Sequence, residues 1–235
     1  MSSSEPAADR SRKFRFERKF LIGELDRFEV EAIVRAHPAL FVERFPQRWV
    51  NNIYLDSPGL QNYFDNTAGI ADRLKVRIRW YGDLIGAIRQ PVLEFKIKRG
   101  LLGTKSSFAL APLEVRPGFD DVTLRGCIEA SDLAPGVRDL VLAQQPALVN
   151  RYRRKYLESA DGRVRLTLDW DREFLRIDSL RKTGLHVWAD SETTIVELKY
   201  DPDFDWRAAE IANHFPFRLT KSSKYVQGLE ATNYF

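Results

Sequence analysis

Apolar and charged residues alternate along several stretches of this chain. The alternation has a period of two, which puts one kind of side chain on each face of a β-strand. In Arg73 to Tyr81, four cations (Arg73, Lys75, Arg77, Arg79) alternate with Leu74, Val76, Ile78 and Trp80. In Val92 to Lys98, Glu94, Lys96 and Lys98 alternate with Leu93, Phe95 and Ile97. Thr193 to Tyr200 sets Glu197 and Lys199 against Val196 and Leu198. Phe14 to Ile22 puts Arg15, Glu17 and Lys19 on one face, with Arg18 breaking the pattern. Further strands are predicted over Arg48 to Asp56, Gly103 to Phe108, Leu148 to Ser159 and Arg163 to Trp170, with a short one over Glu173 to Asp178. Asp161-Gly162 joins two of these as a hairpin turn, and Gly100 and Gly103 read as turn residues. A helical period predicts helices over Glu24 to His37, stopped by Pro38, and over Asp120 to Ala130, Gly136 to Gln145 and Trp206 to Phe215. Leu60 to Asn66 fits a short helix, and Lys221 to Tyr225 is a last basic stretch.

Strands outnumber helices and come as hairpins, so the expected class is α+β, an antiparallel sheet or barrel with a few helices. The 235 residues contain no repeat and no linker. Residues 1–12 are expected to be a disordered lead-in and 13–235 a single domain. The 37 Lys and Arg against 33 Asp and Glu leave a net charge of +4, which excludes a histone-like polycation. Cys127 is the one cysteine, and His37, His186 and His214 are scattered, so neither a disulfide framework nor a thiolate or imidazole zinc site is available. Any metal must be a hard cation on carboxylates or substrate oxygens. No apolar run approaches the ~18 residues of a membrane span, and the start lacks a leader's apolar stretch. A soluble, cytoplasmic protein is expected. Trp80, Phe95 and Trp170 alternate with the charges and are expected in packing; Cys127 and the histidines are expected to be structural.

The recurrence of charge on strand after strand allows two arrangements. The apolar faces can form the core with the charges in water. Alternatively, the sheet curls with its charged face inward and helices cover the apolar outside. Like charges facing each other repel, and Arg73 to Arg79 carry no carboxylate between them on that face. An inward cationic face requires a slender polyanion, since uncompensated buried charge is costly. Arg binds phosphate through paired contacts and Lys as a point charge. Glu17, Glu94, Asp169 and Glu197 then either hold Mg²⁺ or Mn²⁺ against phosphates or neutralise neighbouring cations. Ser222 and Ser223 either donate to phosphate or cap a helix.

Five segments taken in order resemble one family: Arg73–Gly82, Leu93–Lys96, Val164–Asp169, Val196–Tyr200 and Lys221–Gly228. They are similar to the VTC domain, the polyphosphate-polymerase domain of the vacuolar transporter chaperone family. That family lies within the triphosphate tunnel metalloenzymes of the CYTH-like superfamily, and the resemblance runs from about Phe14 to Gly228. It implies a closed tunnel of about eight antiparallel strands with a charged interior. By motif, Lys19, Arg77, Arg79, Lys96, Lys105, Arg165, Lys199, Lys221 and Lys224 would contact phosphates. Tyr152 and Arg154 match the family's Tyr-x-Arg pair, and Glu197 its metal-holding glutamate. Lys75, Lys98 and Ser223 join the expected phosphate-binding set from their place on the basic stretches, and Glu17 joins Glu197 as an expected metal ligand. Arg77, Arg79, Lys96, Arg154, Arg165 and Glu197 form the expected catalytic set. Hydrolytic superfamily members begin Glu-x-Glu-x-Lys, but positions 15, 17 and 19 here are Arg, Glu and Lys. The lost carboxylate leans towards a polymerase using Mn²⁺ or Mg²⁺, a nucleoside triphosphate and polyphosphate. A triphosphatase and a non-catalytic polyphosphate-binding module are the alternatives. The resemblance adds a separate membrane protein as a partner and makes nucleic acid an unexpected one.

Overall fold

A computed structural model describes residues 14–177 and 187–232. The expected lead-in over 1–12, His186 and the end of the predicted strand at Asp178 lie outside these residues. Strands β1 (Phe16–Ile22), β2 (Val42–Asp56), β3 (Asp72–Tyr81), β5 (Val92–Arg99), β6 (Leu102–Ala109), β8 (Gln145–Glu158), β9 (Val164–Arg176) and β11 (Thr194–Tyr200) form one antiparallel sheet. Its order is β1-β11-β9-β8-β2-β3-β5-β6, with β10 (Val187–Asp190) added on β9. A separate pair joins β4 (Gly86–Ile88) to β7 (Leu113–Val115). Six α-helices occur among the described residues: α1 (Arg27–Arg35), α2 (Gln61–Thr67), α3 (Asp121–Glu129), α4 (Pro135–Leu142), α5 (Asp205–His214) and α6 (Lys224–Ala231).

The apolar strand faces are covered by these helices. Val76, Ile78, Trp80, Leu93 and Phe95 pack with Leu124 and Ile128 of α3 and Val141 of α4. Leu166, Leu168, Trp170, Val196 and Leu198 pack with Val30 and Val34 of α1 and Ala208 and Ile211 of α5. Burial of each such large side chain stabilises by about 1.5–3 kcal/mol, which fixes which face of the sheet points out. Trp80, Phe95 and Trp170 are therefore packing residues, as expected. Cys127 is buried and donates to the Ala111 carbonyl, and His37 is buried against the Ile211 carbonyl. Arg18 breaks the alternation because it points outward, donating to Tyr200 and Asp205.

The other face is the charged one, and the sheet wraps around it. Of the two arrangements the sequence allows, the structure takes the inward one. The expected closed barrel is not formed, because no ladder joins edge strands β1 and β6. They meet at a single bridge, where Arg15 and Gly103 exchange backbone hydrogen bonds of 2.9 Å each. Gly103 is thus a strand residue rather than a turn residue, while Gly100, at φ 58°, makes the turn. Two predicted strands are longer than expected. β2 begins at Val42, and the segment from Glu173 continues β9 through a bulge opposite Arg151 and Arg153. Asp171 sits at that bulge with φ 47°. The predicted basic tail becomes the start of α6, which packs on β8, β9 and α2. Its Gly228 lies so close to Leu148 and Phe174 that an added Cβ would fall 2.4 Å from each. Tyr225 of the same helix donates to the fully buried Asp56.

Candidate functional site

The inward face surrounds a cavity of about 1270 Å³. Arg77 and Arg79 of β3, Lys96 of β5, Lys105 of β6, Arg154 of β8, Arg165 of β9 and Lys199 of β11 all line it. Strand register decides which charges meet. Glu17 faces Lys199 and Lys19 faces Glu197 across β1 and β11. Arg77 faces Glu94, and Arg154 faces Asp169. Opposite charges directly across a ladder stabilise it. Like charges also meet, Arg73 facing Lys98 and Arg48 facing Arg154, and one row carries three of them. Lys75 faces Lys96, which in turn faces Lys105, so three lysines lie side by side on adjacent strands.

The carboxylates act as counter-ions. Glu94 accepts from Arg77 at 2.8 Å and from Lys105 at 2.6 Å, with Arg79 at 3.5 Å. Asp169, fully buried, takes both arms of Arg154 at 2.6 and 2.7 Å and the Lys224 ammonium at 2.5 Å. Glu17 takes Lys96 at 2.8 Å. Glu197 is held by Lys199 at 3.0 Å and Lys19 at 3.3 Å, with Arg154 at 3.9 Å. Burial alone would raise all four acids. The adjoining cations overcome it, holding Asp169 and Glu17 down to about 2 and Glu94 and Glu197 well below the usual carboxylate range.

Lys75 is different. Its ammonium donates to Ser223 Oγ at 2.8 Å, and among the described residues it has no carboxylate partner. Burial, then Lys19, Lys96 and two arginines, pushes it well below the usual lysine value. Burial also brings Lys96 down to about 8, with Lys19 adding to the effect and Glu17 resisting it. Tyr152 is buried and accepts from Arg79 at 3.3 Å. Arg154 and Lys224 lie 5.1 and 4.6 Å from its ring centre. Burial would raise its phenol, but Arg154 and Arg79 bring it down to about 8.

The Tyr-x-Arg segment presents different side chains to the two faces of the sheet. Tyr152 and Arg154 point in. Arg151 and Arg153 stack on Trp49 at 3.7 and 4.9 Å, and Lys155 bonds Glu31. Ser223 both caps α6, accepting from Val226, and accepts from Lys75. Lys19 donates to the Ser222 carbonyl at 3.2 Å, which ties β1 to the approach to α6. Arg165, 62% exposed in its side chain, stands at the rim near Glu158. Of the expected phosphate-binding residues, Lys105 and Lys199 line the cavity, whereas Lys19, Lys75, Tyr152, Ser223 and Lys224 do not, nor does Glu197. Lys221 is exposed, and Lys98, paired across the ladder with Arg73, does not line the cavity. Arg163 sits at the hairpin tip beside Phe204 and Trp206. The sequence reading missed Arg44, Phe45, Tyr81 and Tyr156, which also line the cavity. Phe45 and Arg44 precede the predicted start of β2, in a stretch whose Pro46 and bulges erase the alternation.

No helix among the described residues is long and apolar enough to cross a membrane. No curated protein matches the chain by sequence. Solved structures show the same fold at low identity. A protein of Pyrococcus horikoshii OT3 is 13% identical with a TM-score of 0.51, covering 92% of this chain and 98% of its own. A candidate adenylate cyclase from Bacillus halodurans is 13% identical with a TM-score of 0.53, over 92% and 97% of the two chains. Another from Vibrio parahaemolyticus is 11% identical with a TM-score of 0.52, over 94% and 99%. The family model of the VTC domain matches residues 14–233, the span that builds the sheet, the inward cations and the last helix, and the chain belongs to the VTC domain family.

Proposed function

We propose that this chain is a polyphosphate polymerase, moving the terminal phosphoryl group of a nucleoside triphosphate onto a polyphosphate chain held among the inward cations. The observation that carries the reading is the lysine row. Lys75, Lys96 and Lys105 face one another across three strands, and Lys75 lacks a carboxylate among the described residues. Such a row costs stability unless an anion joins it. The VTC resemblance supports a linear phosphate polymer as that anion. Phosphoryl transfer needs aligned reactants and charge on the transferring group more than covalent work by the protein. Arg77, Arg79, Lys96, Arg154 and Arg165 supply the charge in this reading.

No group of three or more His, Cys, Asp or Glu side chains is placed to hold a metal among the described residues. Mg²⁺ typically uses one or two carboxylates together with substrate phosphates. Glu197 and Glu17 fit that description. The Lys19 ammonium lies between them, 3.3 and 3.8 Å away, so positive charge is already held there. A bound Mn²⁺ or Mg²⁺ would neutralise charge on phosphate oxygens.

The test is incubation with ATP and Mn²⁺, or with Mg²⁺ in its place. Growth of an acid-stable phosphate polymer supports the reading. Orthophosphate release without chain growth would make it a triphosphatase. Binding without turnover would make it a binding module, and a cyclic nucleotide would align it with the activity named for two of the structural neighbours. A gel shift with nucleic acid is expected to be negative.

A further inference from the structure

One rim of the cavity is aromatic, and the catalytic reading does not use it. Phe45 and Tyr81 are 55% and 46% exposed, yet both line the cavity, together with Tyr156. Phe45 and Tyr156 meet edge to face at 5.9 Å. The Arg48 guanidinium lies 4.0 Å from the Tyr81 ring centre, 5.0 Å from Tyr156 and 5.8 Å from Phe45. Among the described residues, no hydrogen bond or ion pair engages Arg48. A planar cation therefore sits on exposed rings with its charge unmatched.

This cluster is built by irregularity. Phe45 and Arg48 are three apart, and a regular strand would send them to opposite faces. Register shifts against β8 occur on both sides of Phe45, between Glu43 and Phe45 and between Phe45 and Arg48. Each inserts one extra residue in β2, and Pro46 lies within the second. Bulges of this kind re-aim side chains near functional sites. Here they bring an apolar ring to the edge of a cationic cavity, where burial gains little.

We infer that the Phe45–Tyr81–Tyr156 rim takes the nucleobase of the triphosphate donor by stacking, with Arg48 adding a second planar face or a charge for the phosphate tail. The inference rests on the proposed phosphate-binding role of the cavity and names what that role lacks, a foothold for the organic part of the substrate. Any base has a stacking face, so the rim separates nucleoside triphosphates from inorganic polyphosphate without choosing among bases.

The experiment is calorimetric titration of ATP and of inorganic tripolyphosphate into wild type, Phe45→Ala, Tyr81→Ala and Phe45→Tyr. A lost stacking contact weakens binding by about 5- to 150-fold. The expected result is a loss of that order for ATP in the two alanine variants, unchanged tripolyphosphate affinity, and ATP binding restored in Phe45→Tyr. Equal losses for both ligands, or no loss for either, would overturn the inference while leaving the phosphate cavity intact. Failure of wild type to bind tripolyphosphate would instead remove the phosphate reading, and this inference with it.

Discussion

Arg154 and Asp169 face each other across β8 and β9 in a two-armed contact of 2.6 and 2.7 Å, with the Asp169 carboxylate wholly out of solvent. Lys224 of the last helix completes the carboxylate's set at 2.5 Å. One acid thus balances two cations from two different elements. Asp169→Ala leaves Lys224 buried without its carboxylate and Arg154 with only the more distant Glu197 at 3.9 Å. Breaking a buried pair from one side costs about 3–5 kcal/mol, which for a chain of this size lowers the melting temperature by on the order of 10 °C. Thermal denaturation followed by circular dichroism checks this, and a variant as stable as wild type would refute the pairing.

Lys75 predicts the opposite signature. Lys75→Met removes a half-buried amine that faces Lys96 and pairs with no carboxylate among the described residues. The variant is expected to melt higher than wild type and to bind tripolyphosphate roughly tenfold more weakly, the loss of one charged contact. Parallel melts and titrations read both. A variant that loses stability along with affinity would show that Lys75 is a structural support.

Affinity for polyanions is expected to fall as pH rises through about 8. Lys96 in the empty site loses its proton near there, and Tyr152 gains a negative charge in the same range. A bound anion favours protonated Lys96 and neutral Tyr152, so binding takes up protons and weakens once they are scarce. Lys96→Arg keeps its charge at high pH and should flatten part of the profile; Tyr152→Phe should flatten the rest. Tripolyphosphate titrations between pH 7 and about 9.5 measure it. The acids act at the other extreme. Glu17 and Asp169 contribute stability above the usual carboxylate pKa, and it is lost as pH falls towards about 2.

Gly228→Ala is expected to loosen α6. The new methyl would meet Leu148 and Phe174 at 2.4 Å, inside contact distance, and overpacking of this kind costs about 1–3 kcal/mol. Faster hydrogen exchange in α6 and the facing part of β8, with the β3–β5 ladder unchanged, would confirm a local effect.

Much of this architecture was legible in period-two alternation. Arg73 to Trp80 and Leu93 to Lys98 carry enough contrast to fix both strand and face. Whether the charged face turned inward was not legible, because alternation is the same for a solvated sheet and a curled one; the like-charged run hinted at it. Ladder partners were beyond reach, since Glu94 and Arg77 meet through register and not through spacing. Phe45 and Arg44 were missed because bulges around Pro46 break the pattern the reading relied on. The single-bridge edge at Gly103 likewise depends on curvature, which no local pattern encodes.

β1 and β11 are neighbours in the sheet although they lie at opposite ends of the sequence, and Lys19 reaches both Glu197 and the Ser222 carbonyl. The charged constellation therefore cannot exist on a partly synthesised polypeptide. Until β11 and α6 have been made, β1 lacks its ladder partner and Asp169 lacks Lys224, so the capacity to capture polyanions arises late, as the slowest, most non-local contacts close.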